Sequence, residues 1–263
     1  MRLLSTALIA LVAAMPIPVA AQDGPPDEGP HGQVASGAGL APDYEGSDDL
    51  RVIPFVLADI RWAGVTLEMR GLHARVDLAS DPRLSLGPVI GARLDRSDVD
   101  GSVGLLPEID TAIEAGGYVG YRFGGNRLGQ GSMQVELSVV HDISEVHNGL
   151  LATVSTSYMA IRKPDSFVSF DLQTTWADAD YTQTYFGISA ADAAASGLAT
   201  FDAGSGFRDV GAGISAGYYF SRSLGIVGRV GANYLIGDAA DSPVTDQGSR
   251  WQPVGGLTLS YRF

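Results

Sequence analysis

The sequence predicts an all-β fold: a single antiparallel transmembrane β-barrel of the bacterial outer membrane, with about 12 strands, or 10 as the alternative count. Three observations predict it. The chain closes on Leu257-Thr258-Leu259-Ser260-Tyr261-Arg262-Phe263, where apolar residues take odd positions and polar residues even ones. That is the period of a strand with one greasy and one wet face. Upstream, strand-like runs of similar length alternate with acidic or glycine-rich breaks. Beyond the N-terminus no stretch is apolar for long enough to make a spanning helix, so any membrane span must be β.

Arg2 precedes an apolar stretch from Leu3 to Met15, and Val19 and Ala21 are small. This reads as a secretory leader over 1–21, cut after Ala21. Residues 22–31 are polar and proline-rich and read as a flexible periplasmic lead-in. The barrel is then expected over 32–263. The chain has no cysteine, which excludes a disulfide framework and an anchor through an N-terminal lipidated Cys. A net charge of −13 argues against nucleic acid as a partner, because phosphate binding needs a basic face.

In chain order the strand candidates are 32–41, 50–62, 65–78, 84–94, 112–123, 132–141, 150–162, 166–177, 208–220, 224–236 and 251–263. A tilted strand needs about 9–11 residues to cross a bilayer. Met133, Val135, Leu137 and Val139 oppose Gln134, Glu136 and Ser138. Val168, Phe170, Leu172 and Trp176 oppose Ser169, Asp171 and Gln173. Val210, Ala212, Ile214, Ala216 and Tyr218 oppose glycines and a serine. Single-chain bacterial barrels normally use an even number of strands. Either 65–78 breaks at Gly71, giving twelve, or 32–41 does not span, giving ten; twelve is preferred. In the closing strand the odd face runs from Trp251 to Tyr261 and Phe263, which places aromatics at both interfaces. Tyr261 and Phe263 are therefore read as the assembly signal.

If Phe263 is periplasmic, the breaks at 163–165 and 221–223 are short periplasmic turns. Those at 95–111, 178–207 and 237–250 are long outer loops. In the loop after 178, Ser189 and Asp192 have capping-box spacing, Ala190 to Ala195 favour helix, and Gly197 suits a helix end. One or two helical turns are expected, with Tyr185, Phe186, Leu198 and Phe201 available to pack them down.

Three loop segments go beyond a generic barrel. They are Ala41-Pro42-Asp43-Tyr44-Glu45-Gly46-Ser47-Asp48-Asp49; Tyr185-Phe186-Gly187-Ile188-Ser189 continuing through Ser196-Gly197-Leu198 to Phe201; and Asp241-Ser242-Pro243-Val244. With the leader and Phe263, they resemble the MipA/OmpV family, named for the MltA-interacting protein. The resemblance implies an outer-membrane scaffold that tethers a lytic transglycosylase and a peptidoglycan synthase. It marks Tyr44, Gly46, Ser47, Tyr185, Gly187, Ser196, Gly197, Leu198, Asp241, Ser242 and Pro243 as motif positions.

Chemistry is sparse. His141, Asp142 and Ser144 are neighbours, but no Gly-x-Ser-x-Gly elbow accompanies them, and adjacency in sequence is not triad geometry. The acidic groups Asp43, Glu45, Asp48, Asp49 and Asp95, Asp98, Asp100 lack calcium-loop spacing. They could share divalent cations with lipopolysaccharide phosphates. No catalytic, metal or cofactor site is expected. The inward register carries Arg93, Glu114, Arg122, Glu136, Asp171, Arg229 and Arg262. Charges at bilayer depth must pair or meet water. A pairing that fills the lumen is preferred over a narrow hydrated channel. The functions in play are the scaffold, a small diffusion channel, and a surface adhesin or stress-response barrel. The expected partners are outer-membrane lipid, lipopolysaccharide and the barrel assembly machinery, besides the two murein enzymes.

Overall fold

The computed structural model describes residues 29–263. The expected leader and residues 22–28 of the lead-in lie outside the described residues. Twelve antiparallel strands close into a barrel: β1 (His31–Pro42), β2 (Leu50–Trp62), β3 (Val65–Arg70), β4 (His73–Asp77), β5 (Leu84–Arg93), β6 (Ala112–Gly124), β7 (Ser132–Asp142), β8 (Leu150–Arg162), β9 (Ser166–Ala177), β10 (Gly206–Tyr219), β11 (Leu224–Leu235) and β12 (Trp251–Arg262). Each strand pairs with its sequence neighbours, and β12 returns to β1. Closure leaves no open edge in a solvent that cannot hydrogen-bond it. The seam runs from Gln33 opposite Arg262 to Leu40 opposite Gly255. Below it, Phe263 and Gly32 exchange amide-to-carbonyl bonds, both 3.0 Å.

Segment 65–78 breaks at Gly71, where φ is +61°. Glycine takes that turn without a Cβ penalty. The break makes β3 and β4, so the count is twelve rather than ten. These two strands are short. β2 pairs with β3 only from Leu57 onward, and the last ties across the hairpin are Gly71 N to Val56 O and Ala92 N to Leu72 O. Toward the outer face the ladder between β2 and β5 is missing. Arg51 crosses there instead, donating to the Asp95 carboxylate (3.0 Å) and the Asp95 carbonyl (2.7 Å). Below this gap lies an apolar groove of about 400 Å³ lined by residues that include Pro54, Val56, Met69, Ile90 and Ile113.

The two faces of the wall differ as the alternation requires. Val52, Leu257 and Leu259 are 73%, 62% and 59% exposed, on a belt that also holds Val135, Leu172, Val210 and Ile226. So much exposed apolar surface would be a liability in water; in a bilayer it is the lipid face. Inside, bulky side chains sit against glycines. A Cβ on Gly256 would stand 2.4 Å from the Phe55 ring, and one on Gly217 would stand 2.3 Å from the Phe167 ring. Small residues opposite large ones let a narrow barrel fill with side chains.

The outer loops carry a short 3-10 turn (Val103–Leu105) and four helices: α1 (Ala179–Phe186), α2 (Ala190–Ser196), α3 (Gly237–Asp241) and α4 (Pro243–Asp246). Asp178 caps α1 by accepting from Tyr181 N at 3.0 Å, and it also accepts from Leu150 N. Ser189 and Asp192 form the reciprocal capping box of α2, and Gly197 ends it in the left-handed region. Ser242 caps α4, which starts on Pro243. Two apolar clusters knit these pieces together. One joins Tyr181, Tyr185 and Phe186 to Ile109, Leu235 and Ala240; the other joins Tyr44, Val103 and Leu106 to Ile188 and Val244.

Candidate functional site

The three motif segments come from three different outer loops and meet in this lid. Gly46 N donates to Gln252 Oε1 (3.1 Å), and Gln252 Nε2 donates back to Ser47 O (3.1 Å). Ser47 is buried and its hydroxyl accepts from Asp49 N. Ser242, fully buried, donates its hydroxyl to Phe186 O at 2.6 Å. Gly187 ends α1 against Gln183, where a Cβ would collide with the Gln183 side chain. Ser196 donates to Asp192 O, and Leu198 packs on the cluster around Tyr44. Asp241 pairs with Arg250 at the exposed rim. The motif positions thus tie the lid to itself and to the start of β12.

Beneath the lid lies a network centred on Glu45. The Tyr181 hydroxyl donates to Glu45 Oε2 at 2.5 Å. Arg93 donates to Glu45 Oε1 (2.6 Å) and to both Glu114 oxygens (2.7 and 3.1 Å). Arg208 reaches Glu45 (3.1 Å), the Tyr181 hydroxyl oxygen (2.5 Å) and Asp209 (2.6 Å). Both guanidiniums face the Tyr181 ring, at 4.9 and 5.4 Å from its centroid. Burial works to raise the pKa of Glu45, but Arg208, Arg93 and the Tyr181 hydroxyl outweigh it and hold the carboxyl below its ordinary value. His147 is buried beside them. Its Nδ1 accepts from Gly149 N (3.0 Å), which leaves Nε2 to donate to Glu114 (3.2 Å).

Deeper in the lumen, Arg229 forks onto Asp171, with Nη2 at 2.6 Å from Oδ2, and Arg75 bridges Glu68 (2.7 Å) and Glu136 (2.6 Å). Two of the inward charges read from sequence have no carboxylate partner. Arg122 donates to Gln134 (3.2 Å) rather than to Glu136, and Arg262 lies over the Tyr219 ring and donates to Pro164 O (3.0 Å). Tyr261 and Phe263 stack on each other at 6.2 Å on the lipid face.

The sequence of family MltA-interacting protein MipA, as a profile, matches residues 34–263. The chain belongs to the MipA family. Its place is the outer membrane of a Gram-negative bacterium. An outer-membrane channel of Pseudomonas putida F1 shares 11% identity at a TM-score of 0.44, covering 94% of this chain and all of that one. OmpT of Vibrio cholerae shares 9% identity at a TM-score of 0.38, covering 88% of this chain and 76% of that one. Likeness at this level concerns the fold alone. Among curated protein sequences no match is found.

For this MipA-family barrel, the constellation around His141 resolves differently from a triad. The Asp142 carboxylate accepts from Ser144 N, the Ser144 hydroxyl, His147 N and Asn148 N, while His141 Nδ1 meets the Asp142 backbone oxygen. Asp142 holds a turn. The acidic loop 43–49 also divides: Glu45 turns in under the lid, whereas the sequence groups it with Asp43, Asp48 and Asp49 in one acidic cluster. Arg75, Tyr181, His147 and Arg208 carry the interior networks, and sequence reasoning does not single them out. The one available signal was register, since Arg75 and Arg208 lie within or beside strand candidates.

Proposed function

We propose that this barrel is a non-enzymatic scaffold that holds murein-remodelling enzymes, a lytic transglycosylase and a peptidoglycan synthase, at the outer membrane. The single observation that carries the reading is the closed outer mouth: three loops interlock over a paired lumen network around Glu45. A barrel capped at one end and crossed by Asp171–Arg229 and Glu68–Arg75–Glu136 pairs is poorly built for diffusion. The family's own description, an MltA-interacting protein, names the class of partner. The same reading includes removal of residues 1–21, insertion by the barrel assembly machinery, and contact of the acidic outer loops with lipopolysaccharide.

Two measurements test it. Affinity purification of the mature chain from cross-linked envelopes is expected to bring down a lytic transglycosylase. Purified barrel in planar bilayers is expected to show no steady conductance. Steady open channels, with no murein enzyme captured, overturn the scaffold in favour of a diffusion channel.

A further inference from the structure

We propose that the periplasmic mouth of the barrel is a docking site for an acidic segment of a protein partner. The proposal takes from the scaffold reading only that the partner lies in the periplasm.

Arg61, Arg122, Arg162 and Arg262 each occupy the last inward position of a strand descending to the periplasm. Arg61 shares its register with Asp59, and Arg122 with Tyr118. Arg162 stands opposite inward Phe167, and Arg262 opposite Gln33. Arg61, Arg122 and Arg162 are exposed. Among the described residues none of the four has a carboxylate within 4.0 Å, although Arg51, Arg70, Arg75, Arg93, Arg208 and Arg229 all do. Arg262 and Arg122 lie within electrostatic reach of Arg162, as does Asp59, so the group gathers like charges around one acid. Of the acids nearby, Asp59 is already held by Arg70 (2.6 Å) and Gln33 (2.7 Å), and Asp77, the last inward residue of β4, accepts from Ala79 N (3.0 Å) and Leu86 N (3.2 Å).

The turns extend the cationic rim. They add Arg83, Arg127, Lys163 and Arg222, against Asp81 and Asp165, which accept from Arg83 N and the Ser166 hydroxyl. The outer loops show the reverse bias, seventeen carboxylates against Arg96 and Arg250. In a chain of net charge −13, unpaired cations collected at one mouth call for an anionic occupant.

Lipid headgroups surround the barrel, but the four arginines point into the mouth, away from them. The lid and the lumen pairs block the outer route, so the occupant arrives from the periplasm. An extended run of Asp and Glu spaces carboxylates about 3.3 Å apart along the chain, dense enough to meet several guanidiniums at once. Murein carries its carboxylates singly, on separated stem peptides.

The test uses the mature chain in nanodiscs of zwitterionic lipid, with a fluorescent decaglutamate peptide as probe and anisotropy as readout. Binding is expected to weaken about tenfold in the variant R61Q/R122Q/R162Q/R262Q, and to fall with added salt. Heat-modifiable gel mobility must show that variant folded. The turn variant R83Q/R127Q/K163Q/R222Q serves as a second reporter and is expected to lose less. Absent peptide binding, or binding unchanged in the mouth variant, overturns the proposal. So does tighter binding of soluble murein fragments or of anionic vesicles than of the peptide. Peptide binding that emerges only after D23N/D27N/E28Q assigns the mouth to the chain's own leading segment and also overturns it. Peptide binding without capture of a murein enzyme removes the scaffold reading and leaves the mouth standing. Capture undiminished in the mouth variant does the opposite.

Discussion

Glu45 and Arg208 lie 163 positions apart in the chain and meet under the lid at 3.1 Å, with the Tyr181 hydroxyl bonded to both. One comes from the first outer loop and the other from the start of β10, so the contact fastens the lid to the wall. Arg93 adds a second cation to the same carboxylate. Glu45→Ala leaves two guanidiniums beneath the lid without this partner. Breaking a largely buried pair costs about 3 kcal/mol. Hydrogen exchange in 43–49 and 178–205 is expected to speed by about a hundredfold while the strands stay protected. Unchanged exchange in those loops would show that the lid does not depend on Glu45.

The same carboxylate sets an acid response. Its folded pKa lies below the ordinary 4.5, so its contribution is complete above that value and disappears as pH falls through the lowered folded value. Protease resistance of the outer loops is expected to hold from neutral pH down to about 4.5 and to decline below it. Glu45→Gln should lack that acid step. A wild-type transition well above pH 4.5 would contradict the assignment to Glu45.

Gly256 and Phe55 test the packed interior. Gly256→Val forces a branched side chain into the ring that lies 2.4 Å from the Cβ position. Overpacking of this kind costs about 1–3 kcal/mol. Folded yield on heat-modifiable gels is expected to drop for Gly256→Val, to recover in Gly256→Val with Phe55→Ala, and to stay unchanged for Ala38→Val on the lipid face. Failure of the double variant to recover would separate the two residues.

At the closing strand, Phe263→Asp places a charge at the lipid boundary and is expected to reduce membrane levels severalfold. Ser260→Ala is the milder change but not a silent one, because the Ser260 hydroxyl is buried at 2.9 Å from the Tyr219 hydroxyl. Its loss costs about 1 kcal/mol. Equal membrane levels for the two variants would contradict the assignment of Phe263 to assembly.

Arg229→Ala removes the fork onto Asp171 and opens space beside Ser215 and Gly213. The lid remains above it, so planar-bilayer conductance is expected to stay low in this variant. It should rise when Arg229→Ala is combined with Glu45→Ala. Steady conductance in Arg229→Ala alone would locate the barrier in the mid-lumen rather than at the lid.

The wall was legible in the sequence because a period of two survives whatever the neighbours are. Leu257, Leu259 and Tyr261 announce a lipid face without reference to any partner strand. Gly71 marks the hairpin for the same local reason. The helix α2 was readable from Ser189, Asp192 and Gly197, which cap its seven residues at both ends. The lid's interior was not. Tyr181, Glu45 and Arg208 come from separate loops and strand ends, and each taken alone is an ordinary polar or aromatic residue. Helix α1 escaped because Tyr181, Tyr185 and Phe186 advertise packing without revealing the backbone that delivers them. Arg75 was hidden in a segment whose division into two short strands obscures which way each residue points.

The short β3–β4 hairpin gives the barrel an uneven hoop strength. Around most of the circumference, tension between staves is carried by backbone bonds, which no substitution short of proline removes. Across the outer half of the β2–β5 gap it is carried by the Arg51 guanidinium gripping Asp95. The girth of the outer rim there is fixed by a side chain. A single codon can therefore loosen the cylinder at that point, and evolution could widen it without touching a single strand register.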